Sequence, residues 1–293
     1  MRINLRAAGL ALCLTIFLMV LGCAPLQSGD ALVSNPLEGM GEVTSVATGF
    51  ISTEGPVWHA PTNAMIFTDI PGNTIYSLYV DTNEVTVVRS PSSLANGLAL
   101  DAEGYLLAAE QETRVISRMN MVTGEVLPYI SRFGYWEQSK AFNSPNDMAI
   151  HTNGNIYFTD PPFGLQGRES ELGYNGVFVR KPNGEIELLK ALEGQNPNGI
   201  IFNPNQTVLY LAVSHDVEGP ILVYDVDADG NLSNEHEFAR AQNTDGMAMD
   251  TQGNLYVAPE LLCEFGLRMA GNGDASLCRA TSALLMLPLA VKT

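Results

Sequence analysis

Five segments of the chain open alike: EGPVWHAPTNAMIFTD, NGLALDAEGYLLAAE, NDMAIHTNGNIYFTD, NGIIFNPNQTVLYLAV and DGMAMDTQGNLYVAP. Each begins with a polar residue, usually followed by Gly. An alternating apolar run comes next, then a turn rich in Gly, Asn or Pro, then a second apolar run. The opening residues are Glu54, Asn96, Asn146, Asn198 and Asp245, spaced 42, 50, 52 and 47 residues apart. Further strand patterns, TIYSLYV, GVFVRK and ILVYDV, lie between the repeats. A period of 40 to 50 residues with about four strands per unit predicts an all-β fold, a β-propeller. Abundant glycine (27) and proline (16) agree with many short strands and turns.

In a propeller the innermost strand of each blade lines a central channel. If the first strand of each repeat is innermost, its opening residue sits at one mouth. Glu54, Asn96, Asn146, Asn198 and Asp245 then converge on one axis. Asn-Gly and Asp-Gly are also ordinary turn pairs. A turn would accept Gly-Gly or Ser-Gly equally well, whereas all five positions carry a side-chain oxygen. Such oxygens suit a hard cation, which takes six to eight of them in flexible geometry. Calcium is the expected cofactor; magnesium or manganese would also suit these donors. Between Ala24 and Leu262 there is no cysteine, so that span supplies neither a thiolate metal site nor a catalytic Cys.

The residues EGPVW, NSPNDMAI…IYFTDPPFG, NPNGIIF and TDGMAMDTQGNLYVA resemble the gluconolactonase and senescence-marker (regucalcin) family, together with the luciferin-regenerating-enzyme-like proteins. These are six-bladed calcium propellers that hydrolyse lactones. The likeness runs from about Gly49 to Ala258, with its motifs in order. It implies Glu54, Asn198 and Asp245 as metal ligands, and Asn146 as a further ligand or substrate contact. It makes Asp245 the general base as well. Asn96 takes the channel position of the second blade as a substrate contact, and Asp147 is a second candidate for substrate or proton. Ser144 stands where animal relatives carry Arg, so sugar selectivity does not transfer. The expected substrate is a small lactone. The alternative is a non-catalytic, lipid-anchored propeller that binds a ligand or protein partner, or an inactive truncated product.

Other motifs have plainer readings. Asp69 and Asp160 end the FTD runs, with Glu110 in a similar place, and are expected to cap loops. Trp58 and Phe163 are expected to pack. DVDADG at Asp225 to Gly230 lacks the distal bidentate Glu of a calcium loop and is expected as a hairpin turn.

The N-terminus starts with Arg2 and Arg6, followed by an apolar run from Ala7 to Val20 that is short for a bilayer span. It ends in Val20-Leu21-Gly22-Cys23, which resembles a bacterial lipobox. Residues 1–22 are expected to be a lipoprotein signal, Cys23 the lipidated residue and residues 23–40 a tether, with the protein held to the outer membrane and facing the periplasm. Ala24 after the cysteine fits that destination. The formal net charge of −17 gives no basic footprint for nucleic acid.

Residues 41–258 are then the propeller domain, with five complete or nearly complete blades. Residues 259–293 form an aberrant tail with no further repeat. Read in a shifted frame with a choice of synonymous third bases, the string from Leu267 can encode PDGRKWRCLTVPSDERTANVAFGGED. That resembles the family's continuation, including an Asn before an apolar strand, about 40 residues past Asp245 and in phase with the repeats. A frameshift that replaces the sixth blade is the expected origin of this tail.

Overall fold

A computed structural model describes residues 45–215, 217–259, 265–268 and 278–280. The chain divides into Met1–Met40 and Gly41–Thr293, and the fold below is that of the second unit. The signal, Cys23 and the tether lie outside the described residues.

Five four-stranded antiparallel sheets follow one another. The first holds β1 (Thr53–His59), β2 (Ala64–Asp69), β3 (Thr74–Tyr79) and β4 (Glu84–Arg89). The second holds β5 (Ala95–Leu100), β6 (Leu106–Glu110), β7 (Val115–Met119) and β8 (Val126–Ile130). The third holds β9 (Met148–Ile150), β10 (Ile156–Asp160), β11 (Asn175–Arg180) and β12 (Ile186–Leu192). The fourth holds β13 (Asn196–Phe202), β14 (Val208–Ser214), β15 (Gly219–Val226) and β16 (Leu232–Ala241). The fifth holds β17 (Thr244–Met249), β18 (Leu255–Pro259), β19 (Phe265–Arg268) and β20 (Cys278–Ala280). Every sheet is a meander, and the first strands neighbour one another around the centre. This is a propeller arrangement.

The strand sequences explain the packing. Alternation sends Ile66 toward the second blade, where it meets Ala95 and Leu98, while Phe67 on the opposite face stacks on Tyr76. Leu107, Phe142 and Phe158 fill the gap between blades two and three. Val177, Leu209 and Leu211 fill the next, and Tyr210, Ile221 and Val257 the one after. Four apolar cores thus join five blades among the described residues. No sixth sheet is found among them.

β19 and β20 come from residues 259–293, where no strand was expected. The repeat pattern marks only the first two strands of a blade. Outer strands need no polar opening residue, and FGLR pairs with β18 through Leu255↔Arg268 and Val257↔Gly266.

The glycine after each channel residue has a steric cause. A Cβ on Gly97 would meet the Asn146 carbonyl oxygen at 2.4 Å, and one on Gly199 would meet the Asp245 oxygen at 2.4 Å. A Cβ on Gly55, at φ +52°, would meet the Asn96 oxygen at 2.3 Å. These glycines let the backbone of one blade touch that of the next. A Cβ on Gly246, at the same phase, meets nothing within 4 Å. Gly199→Ala should therefore cost about 1–3 kcal/mol of stability by overpacking, and Gly246→Ala distinctly less. Denaturant midpoints of the two variants check this; equal midpoints would show that the blade contact is loose.

Candidate active site

Asn146 begins the third blade's approach to the axis. Its N–H donates to the Thr159 carbonyl (2.9 Å), and its own carbonyl accepts the Gly97 N–H at 2.7 Å. Asn96 is fixed from the first blade, because the Thr68 hydroxyl donates to its carbonyl at 3.0 Å. The Asn198 amide donates to the Thr244 carbonyl at 3.5 Å, tying blade four to blade five. All three asparagines are buried. Each channel residue is thus held largely through backbone contacts with a neighbouring blade.

The carboxylates meet as well. Glu54 of β1 and Asp245 of β17 share a side-chain hydrogen bond, so the first and fifth blades meet at the axis. Burial pushes the Glu54 carboxyl up to about 8; the Asp245 charge adds to this, the Gly55 N–H works against it, and the Asp147 charge raises it further. Two acids this close favour a shared proton or a cation between them. Among the described residues no Lys or Arg forms an ion pair with Glu54 or Asp147.

Asp147 behaves differently. Its Oδ1 accepts the Met148 N–H at 2.8 Å and its Oδ2 accepts the Ile200 N–H at 3.0 Å. Burial pushes it up to about 6 despite these two bonds, with Asp245 adding to the rise. It therefore joins blades three and four where the other repeats have glycine. Sequence reasoning offered it as a substrate or proton contact; its two oxygens are already engaged by backbone amides.

The FTD carboxylates cap loops. Asp160 accepts the N–H groups of Asn143 (2.7 Å) and Ser144 (2.8 Å), three and two residues before Asn146. Asp69 accepts those of Ile51 (3.1 Å) and Ser52 (3.0 Å), three and two residues before Glu54. The same clamp therefore aims both channel residues. Glu110 instead pairs with Arg89 at 2.8 Å. DVDADG is a turn, with Asp227 Oδ1 accepting the Asp229 and Asn231 N–H groups. Phe163, expected to pack, is 39% exposed.

Sequence reasoning missed Thr244. Its hydroxyl is fully buried beside Asp245, with no hydrogen-bond partner among the described residues. The signal was in view, since Thr precedes Asp in the fifth repeat.

The donors fit a hard cation: two close carboxylates, two buried amides and, among the described residues, an orphaned hydroxyl. Among the described residues no group of three or more His, Cys, Asp or Glu is arranged to hold a metal, so amide oxygens would have to complete any such set.

Comparison with known proteins gives the family and the fold. The model of the SMP-30/gluconolactonase/LRE-like region matches residues 52–260. A gluconolactonase of Zymomonas mobilis is 31% identical over 253 residues, covering 77% of this chain and 68% of its own. A gluconolactonase structure from Xanthomonas campestris superimposes with a TM-score of 0.69 at 26% identity, covering 81% of this chain and 78% of that one. Regucalcin of Agrobacterium tumefaciens, described as calcium-binding, shares the fold at 18% identity, with a TM-score of 0.63 and coverage of 80% and 76%. The chain belongs to the SMP-30/gluconolactonase/LRE-like family.

Proposed function

We propose that the protein is a hydrolase of the gluconolactonase kind that opens a lactone with the help of a divalent cation, calcium first among the candidates. The observation that carries this reading is the contact between the Glu54 and Asp245 carboxyls at the end of the channel where Asn146 and Asn198 also lie. Family membership and the gluconolactonase relatives support the substrate class. Glu54, Asn198, Asp245 and Asn146 would hold the cation, which when bound supplies Lewis-acid polarisation of the lactone carbonyl.

The chain's own groups do the rest. Asp245 accepts the proton of the attacking water as its oxygen bonds to the carbonyl carbon. The ring C–O bond breaks, and the proton passes to the departing alkoxide. The product is a hydroxy acid. Asn96 and Asn146 offer amides to the substrate oxygens. Asp147 keeps blade four in register and so positions Asn198 two residues before Ile200. No serine nucleophile is needed, and no G-x-S-x-G run is present.

Lactone hydrolysis assayed with and without a chelator tests this reading. Turnover should vanish with the chelator and return with calcium. Calcium binding without turnover on any lactone would favour the non-catalytic propeller instead.

We further propose that Cys23 carries a lipid anchor that holds the protein to the outer membrane, facing the periplasm. The run Val20-Leu21-Gly22-Cys23 after a short apolar stretch supports this. Cys23→Ser should move the protein from the membrane to the soluble periplasmic fraction; unchanged membrane association would rule the anchor out.

A further inference from the structure

Blades that radiate from an axis leave gaps that widen outward, so the outer part of each gap needs bulk to fill it. Between blades two and three that bulk is aromatic: Phe133, Phe142, Phe158 and Phe178 pack ring against ring, with centroids 5.0 to 5.4 Å apart. Between blades three and four the walls are aliphatic, from Val177 and Val179 of β11, Leu189 of β12, and Leu209 and Leu211 of β14. They leave a cavity of about 450 Å³, which Ile200 of β13 bounds on the inner side. Folded interiors are close-packed, and voids larger than a water are few. This one is about three times the volume of a cavity that holds benzene.

The rim is polar and paired within itself. Lys190 of β12 meets Glu235 of β16 at 2.7 Å, an ion pair from the outer strand of blade three to that of blade four. The Tyr224 hydroxyl donates to the same carboxylate at 2.8 Å. Lys181 pairs with Glu187 at 2.5 Å. All five of these residues line the cavity. Each ammonium already faces a carboxylate, so the two pairs offer donors and acceptors without net charge. An ionic head would enter without a counter-charge or would have to break a pair. A hydroxyl or carbonyl oxygen can join the pairs by hydrogen bonds. An alkyl or aryl body gains by leaving water for the aliphatic walls.

We propose that the gap between blades three and four is a second ligand site, and that it takes an uncharged amphiphile: an alkyl or aryl body ending in a hydroxyl, ester or ketone oxygen. No bond is made or broken there. The site stands apart from the channel and does not depend on the lactonase reading.

The probes are 1-octanol, octanoate and octyltrimethylammonium, titrated into the protein by calorimetry. Octanol should bind once per chain, at least about tenfold more tightly than either ion, since an ionic head meets a rim that is already neutralised. Leu189→Trp puts an indole into the cavity and should weaken octanol about tenfold by taking its space, with Tm held because the ring enters a void. Val179→Phe makes the same test if the tryptophan variant fails to fold. Asp245→Ala, which alters the channel, should bind octanol as wild type does. The readout is binding alone, so it stays legible whether or not any lactone is hydrolysed. Absence of octanol binding, equal affinity for the three probes, undiminished binding in both filled variants, or loss of binding in Asp245→Ala would each overturn the proposal.

Discussion

Asp245→Ala should abolish calcium binding and lactone turnover together. Asp245 supplies one of the two carboxylates proposed to hold the cation, and its partner Glu54 is pushed well above the ordinary carboxylate range. Removing it leaves one buried acid, Glu54, and two neutral amides, Asn146 and Asn198, too little charge to draw a divalent ion out of water. The proton acceptor goes as well, and that alone is worth about 10²–10⁴ in rate. Asp245→Asn separates the two losses. Its amide oxygen can still face the cation, so binding should weaken while kcat falls by the full general-base factor. Isothermal titration with calcium and steady-state kinetics read both. Wild-type turnover in the alanine variant would mean that the chemistry lies elsewhere.

Restoring the shifted frame after Ala258 should turn a weakly active chain into a soluble, chelator-sensitive lactonase. A propeller protects its sheet edges by closing on its own first blade. Here four apolar cores serve five blades among the described residues, and among those residues nothing lies within 4 Å of a Cβ placed on Gly246. A sixth repeat would add two cores, one on each side of it, and cover the outer face of the fifth. We expect the restored protein to unfold more than 10 °C higher than the written chain, since several kcal/mol of new burial shifts Tm by ~2–4 °C per kcal/mol in a domain of this size. Sequencing the gene across the codons for Ala258 to Leu267 is the companion measurement. A written frame confirmed there, with a stable and fully active product, would sink the idea.

The channel was legible because period and phase are properties of a sequence. Five polar openings at one repeat position required a common environment, and Asn96, Asn146 and Asn198 are buried around it. The contact between Glu54 and Asp245 was not legible as a contact, since 191 residues separate them and nothing local to either shows that β1 and β17 bring them together. Asp147 looked like a second functional acid because nothing in its sequence shows that the Ile200 amide waits across the next blade. Asp69 and Asp160 were readable as caps, their carboxylates recurring at the end of a strand. Phe163 was misread as a packing residue: PPFG has the composition of a buried turn, yet Arg168 draws its four bonds from the backbone and leaves the ring outside.

The glycine contacts between blades make the channel a frame of main chain. Gly55 rests on the Asn96 carbonyl, Gly97 on that of Asn146, and Gly199 on that of Asp245. Of the asparagines at the opening positions, Asn198 also ties two blades through its side chain. The axis is therefore editable at Asn96: Asn96→Asp would change the charge there while leaving the main-chain contacts in place. A scaffold of this kind would tolerate a change of charge at such a position, whereas a substitution one residue later, at Gly55, Gly97 or Gly199, must disturb the join between two blades.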